Sequence, residues 1–180
     1  MVTQLIWLLS EFEALFVRPN SKLWIRRLYL ELMGVKCPNA FWVGKSFHLL
    51  RRGNLSLGER CALGEFVRLD NHATIEIGDD FLAAPGLCIS AGTHDPTSLM
   101  PKCSPIRIGS HVWCGVNVTI LNGVTIGDDV VIGAGSLVNK DIPSNSMAVG
   151  VPAKVVKSLN RDEMANLWTW VNIASEDMVV

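Results

Sequence analysis

An apolar residue returns at every sixth position between residues 108 and 138: Ile108, Cys114, Ile120, Ile126, Ile132 and Val138. Glycine follows it directly at Gly109, Gly115, Gly127 and Gly133. A period of six matches neither the 3.6-residue spacing of a helix nor the simple alternation of a strand. It is the pattern of a parallel β-helix, in which each hexapeptide supplies one short strand and one turn. Stepping back along the chain, the column continues through Ile89, Ala83, Ile77, Leu69, Leu63, Leu57, Leu49 and Val43. That gives fourteen apolar positions, eight of them followed by glycine in a chain with 15 glycines. Four residues after the column lie Cys61, Val67, Ala73, Thr93, Val112, Val118, Val124, Val130 and Ser136. Both sets are expected to point inward, because residues two apart on a strand share a face. Glycine after the column is expected where the backbone bends and φ can turn positive.

The interruptions carry a second message. Most steps are six residues, but Leu49 to Leu57 and Leu69 to Ile77 are eight, and Ile89 to Ile108 is nineteen. Every third step is long, so three hexapeptides make one coil and the cross-section is a triangle. All insertions then leave from one edge, which in solenoids is often the binding edge. The largest, residues 95–107, contains Pro96, Pro101 and Pro105 and reads as a stiffened excursion without strand. The fold class is therefore an all-β solenoid, with helices at its ends.

The expected organisation is an N-terminal helical cap (1–36), a β-helix domain (37–157) with the protruding loop 95–107, and a C-terminal helix and tail (158–180). Residues 3–17 and 21–33 show helical spacing, broken at Pro19-Asn20-Ser21 and ended near Gly34. The pair fits a cap over the first coil. Lys22, Arg26 and Arg27 beside Trp24, Ile25 and Leu28 also fit a helix lying on a membrane surface. A third helix is expected over about 160–173. The net charge of −1 gives no support for nucleic-acid binding as a main task. Five scattered cysteines without a CxxC fit a reducing compartment. With no signal-peptide pattern, the expected location is cytoplasmic, with peripheral membrane contact left open. Cys61 and Cys114 fall on inward positions and read as small core fillers.

His94 is the last residue before the long insertion. An imidazole there suits a general base acting on a hydroxyl or amine at neutral pH. His72 lies in the two-residue insertion one coil earlier and could line the same groove. His48 and His111 read as solvated surface positions. Four histidines with no convergent set of three give little support for a zinc hydratase on this fold, so no metal is expected. A non-catalytic scaffold gives no reason for a histidine at the loop base.

Five segments carry a family resemblance: Ile89-Ser-Ala-Gly-Thr-His94-Asp, Ile108-Gly-Ser-His-Val-Trp113, Asn122-Gly-Val-Thr-Ile-Gly127, Val131-Ile-Gly-Ala-Gly-Ser136 and Val149-Gly-Val-Pro-Ala-Lys154. Through them, residues 43–157 resemble the left-handed β-helix acyltransferases. The pattern is most similar to sugar O-acetyltransferases of the maltose, galactoside and colanic-acid type. The resemblance implies direct acetyl transfer from acetyl-CoA to a saccharide hydroxyl, with His94 as general base and active sites between the subunits of a homotrimer. It also implies that Trp113 walls the acetyl end and that an amide near Gly115 and Val116 meets the oxyanion. Ala134, Gly135 and Ser136 would pass the pantetheine arm. Asn139, Lys140 and Lys157 would lie at its nucleotide end.

Two positions depart from the family pattern. Val116 stands where the sugar enzymes often carry serine, and Gly64 stands where an acceptor-binding asparagine is found. Asn71, His72 and Asp95, on the insertion edge, are the acceptor-binding candidates in its place. Transfer to the amine of an amino sugar uses the same base and remains open at this point.

Overall fold

The computed structural model describes residues 23–38 and 41–160. Helix α1 (Leu23–Leu32) is followed by eighteen short strands, β1 to β18 in chain order. Three parallel sheets form the sides of a triangular prism. Face 1 holds β1 (Phe41–Val43), β4 (Cys61–Leu63), β7 (Leu82–Ala83), β12 (Val112–Cys114), β15 (Val130–Ile132) and β17 (Ser146–Gly150). Face 2 holds β2 (His48–Leu49), β5 (Arg68–Asp70), β8 (Cys88–Ser90), β13 (Thr119–Leu121) and β16 (Leu137–Val138). Face 3 holds β3 (Leu55–Leu57), β6 (Ile75–Ile77), β11 (Ile106–Ile108) and β14 (Thr125–Ile126). The remaining strands, β9 (Gly92–His94), β10 (Pro101–Cys103) and β18 (Ala153–Ser158), pair antiparallel outside this pattern.

All fourteen column residues are buried, at 7% exposure or less, and form one continuous core. Each burial removes apolar area worth about 1.5–3 kcal/mol for a large aliphatic side chain. The column is in register between coils: Leu57 faces Ile77, and Ile77 faces Ile108. Phe47, Phe81 and Leu87 join the second inward row beside Cys61, Val67, Val112, Val118, Val124, Val130 and Ser136. Thr93 does not follow its row: it is exposed, because β9 has already left the coil. Burial pushes the Cys61 thiol up to about 11 and the Cys114 thiol up to about 12. Both are core fillers.

Glycine after the column has a different cause from the one expected. Those glycines keep ordinary φ values, and the positive-φ residues come two positions later: Ser46, Arg60, Phe66, Asp80, His111, Asn117 and Asp129. What the glycines permit is close approach of one coil to the next. A Cβ on Gly78 would lie 2.7 Å from the Gly109 carbonyl carbon, and one on Gly64 would lie 2.7 Å from Ala83 O. Gly78→Ala should therefore cost about 1–3 kcal/mol, as overpacking of a rigid core does. Gly135→Ala, with nothing within 4 Å of its Cβ but φ at +70°, should cost about 1 kcal/mol. Thermal melts of the two variants check this order.

Helix α1 ends as the sequence predicts. Gly34 (φ +74°) closes it, with Val35 N donating to Leu30 O and Gly34 N to Glu31 O. Tyr29, Leu30 and Met33 pack into the same core as the first coil. Arg26 is buried, and its guanidinium donates to Val43 O. The helix thus covers the open end of the prism. The predicted helices over 3–17 and 160–173 lie outside the described residues. Among the described residues, no helix is long and apolar enough to cross a membrane.

Candidate active site

Every insertion emerges at the edge between faces 2 and 3, as the irregular steps require. The longest is not strand-free. β9 and β10 pair as an antiparallel ribbon, with His94 opposite Pro101 and Gly92 opposite Cys103. Pro101 is accommodated as the first residue of its strand. The turn between them is held by Asp95, whose Oδ1 accepts from the Thr97 and Ser98 amides (3.0 and 2.8 Å) and the Ser98 hydroxyl (3.1 Å). These bonds, first those from the Ser98 and Thr97 amides, hold the Asp95 carboxyl below the usual range. One oxygen of this acceptor-binding candidate is thereby committed to its own loop.

His94 closes β9 with its imidazole exposed on the insertion edge. One coil earlier, His72 occupies the same edge, half-buried, and its Nδ1 contacts Asp70 Oδ1. The ring lies against Gly92, where an added Cβ would come within 3.1 Å of His72 Cβ and 3.2 Å of its Nδ1. The Ser90 hydroxyl sits 3.2 Å from Asp70 Oδ2 and 2.9 Å from the Gly92 carbonyl, so it can donate to either. Burial pushes the Asp70 carboxyl up, but the bonds from His72 and Ser90 and the charge of His72 outweigh it. The net result is a carboxyl held below its ordinary range.

Asn71 corrects the sequence reading. Its side chain is fully buried. Oδ1 accepts from Arg51 N (2.8 Å), and Nδ2 donates to Arg51 O (2.8 Å) and to Gly53 O. It ties two successive turns of the edge together and faces no acceptor. His111 is a surface position as expected, its side chain 42% exposed. It stands between carboxylates, 3.4 Å from Asp80 Oδ2 and 3.5 Å from Asp129 Oδ1, at the edge between faces 3 and 1.

The donor-side candidates fall on two edges. Gly115 and Val116 follow β12, and Ala134 and Gly135 follow β15 directly above, at the edge between faces 1 and 2. Gly115 N donates to Ile132 O (2.9 Å) and Gly135 N to Val116 O (2.8 Å). Trp113 stands on the outer side of face 1, between Leu82 and Val131 in register. Ser136 is buried, and its Oγ accepts from Gly150 N (3.0 Å). It therefore presents no side chain to a cofactor. Asn139 and Lys140 are exposed on the insertion edge, above His94. Lys157 is exposed on β18, opposite Met147. Within one chain, the edge that carries His94 is the one opposite face 1, where Trp113 lies.

Sequence reasoning missed Asp70 and Ser90. The available signal was the absence of glycine after the column on face 2, where Leu50, Asp70, Ser90, Leu121 and Asn139 stand instead. On the other two faces glycine follows every one of these column residues except Ala83, where Ala84 stands, so the insertion edge is where the coils leave room for a larger side chain at that position.

The family profile of the bacterial transferase hexapeptide (six repeats) matches residues 105–140. The chain is 38% identical over 124 residues to galactoside O-acetyltransferase of Escherichia coli K12, an alignment spanning 66% of this chain and 61% of that one. It thus spans about three-fifths of that relative's length. It is 34% identical over 140 residues to a chain of the same organism provisionally named as the lipopolysaccharide biosynthesis O-acetyl transferase WbbJ, covering 70% of each. A solved galactoside acetyltransferase in complex with coenzyme A superposes with a TM-score of 0.74 at 31% identity, over 86% of this chain and 80% of that one. With its triangular coils, in-register apolar column and insertion edge, the chain belongs to the left-handed β-helix transferases of the hexapeptide-repeat family.

Proposed function

We propose that this protein transfers an acetyl group from acetyl-CoA to a hydroxyl of a saccharide, by direct attack and with His94 as general base. The observation that carries the reading is His94 itself. It is exposed, at the base of a braced hairpin, on the edge from which every insertion departs. The His94 imidazole takes the acceptor proton as the oxygen attacks the thioester carbonyl. The C–S bond then breaks, and the departing thiolate takes that proton back from the imidazolium. The oxyanion formed on the way needs a fixed donor. Gly115 N is spent on coil stacking, so within that pair the role falls to the Val116 amide.

The residues present fit a long, narrow thiol arm. Gly135 has open space around it, and the adjacent Ala134 is small and exposed, so the backbone can be approached along this edge. Lys140 and Lys157 suit phosphates as point charges. His94 and the amides and small residues suited to the thiol arm stand on different edges of the prism, which supports a site completed by a second copy. The outer side of face 1 carries Trp42, Ala62, Leu82, Trp113 and Met147 in one register, a half-buried apolar row of the kind a subunit interface covers, with Val131 of the same row already buried within the chain. The expected assembly is a homotrimer. Sedimentation should show a trimer as the active species, and an active monomer would remove the shared-site part of the reading.

The direct test incubates the protein with acetyl-CoA and a panel containing maltose, a methyl galactoside and glucosamine. Thiol release is followed together with the mass of the sugar. Gain of one acetyl group on a neutral sugar is the expected result. Gain on the glucosamine nitrogen alone would move the reaction to N-acyl transfer, and no gain on any sugar would remove the saccharide assignment.

A further inference from the structure

The insertion edge carries two histidines on successive coils, and of the two, among the described residues, only His72 is oriented by a carboxylate. His72 Nδ1 contacts Asp70 Oδ1, its ring is packed on the Gly92 backbone, and Asp70 is in turn braced by Ser90. A carboxylate on Nδ1 fixes the proton there, leaving Nε2 as a hydrogen-bond acceptor on the far side of the ring. The His72 side chain is 31% exposed, so part of the ring reaches solvent, and it packs on Gly92 of the same strand that ends in His94. Asp70 is itself only 21% exposed and lies behind the imidazole.

Resting on the function proposed above, we infer that Asp70 and His72 form a tautomer-fixed pair that reads the acceptor. Nε2 of His72 accepts a hydrogen bond from a second hydroxyl of the saccharide, beside the one that His94 deprotonates. His72 is the binding residue and Asp70 the positioning residue. The pair selects for an acceptor with a free hydroxyl at that place, since an ether or ester oxygen offers no proton to Nε2 and would leave it unpaired. The pair transfers no group; its work is to aim the acceptor.

The inference is tested with Asp70→Asn and His72→Ala in the full chain, each checked for native circular dichroism. An amide opposite Nδ1 favours the other tautomer, with the proton on Nε2. With a sugar that the wild type acetylates, the acceptor KM should rise by about 10-fold or more in both variants, the loss of roughly one hydrogen bond. The KM for acetyl-CoA should stay within about 2-fold. Nitrogen-15 NMR of the imidazoles should show His72 protonated at Nδ1 in the wild type and at Nε2 in Asp70→Asn, which a merely structural aspartate would not produce. An unchanged acceptor KM in either variant, or an Nε2–H tautomer in the resting wild type, overturns the inference. If no sugar in the panel is acetylated, the proposed function fails and the tautomer measurement alone decides whether the pair exists.

Discussion

His94→Ala should lower turnover by at least about 10²-fold while leaving acetyl-CoA binding unchanged. The size follows from what is lost. A hydroxyl is a poor nucleophile until its proton is taken, and water at neutral pH replaces a positioned base badly. Sparing of the coenzyme follows from the geometry. The amides and small residues suited to the thiol arm lie at the edge between faces 1 and 2, and the His94 ring stands on the insertion edge. Stability should also be spared, because an exposed ring buries little apolar area. His94→Asn keeps polarity and approximate size but has no basic nitrogen, so it should be as slow as the alanine variant. Steady-state turnover, acetyl-CoA titration by calorimetry and a thermal melt read the three quantities separately. Turnover at the wild-type level in either variant would remove His94 as base. A parallel loss of coenzyme binding would place its role in the donor site instead.

The prism was legible in the sequence because its cause is periodic. One inward position per hexapeptide must be apolar, and away from the insertion edge the position after it must approach the next coil closely, so Ile108 to Val138 keep the first rule throughout and the second at Gly109, Gly115, Gly127 and Gly133. The insertion edge was legible for the same reason, as the place where the period breaks. The reason for the glycines was not legible. A glycine that relieves φ and a glycine that relieves a 2.7 Å backbone contact look alike in sequence, and the αL positions at Arg60, Phe66, Asp80 and Asn117 carry ordinary side chains. The hairpin β9–β10 was hidden because three prolines suppress the strand signal, although Pro101 sits where it costs no ladder bond. Side-chain direction was least legible of all. Asn71, His72 and Asp95 share one edge, yet one turns inward, one stacks against the neighbouring coil and one caps its own turn. A position on an edge does not fix a rotamer; the backbone groups left unpaired there do.

Asn71→Ala should therefore unfold the protein more readily without changing how the acceptor binds. The amide is fully buried and supplies two donors and one acceptor to Arg51 N, Arg51 O and Gly53 O. Alanine leaves these backbone groups without their partner and opens a small void. Each unsatisfied buried group costs about 1–3 kcal/mol, offset where water can enter from the edge, so a total of about 2–4 kcal/mol is expected. For a chain of this size that is a fall in Tm of roughly 10 °C. Asn71→Asp should do no better, because a carboxylate in that place faces two carbonyl oxygens and can donate to neither. If Asn71 were an acceptor ligand instead, the signs would exchange: the acceptor KM would climb while Tm held. A melt and an acceptor titration on the same preparation separate the two. A variant with wild-type Tm and a raised acceptor KM would return Asn71 to the substrate groove, and would mean that the two turns of the insertion edge are held together by something other than this amide.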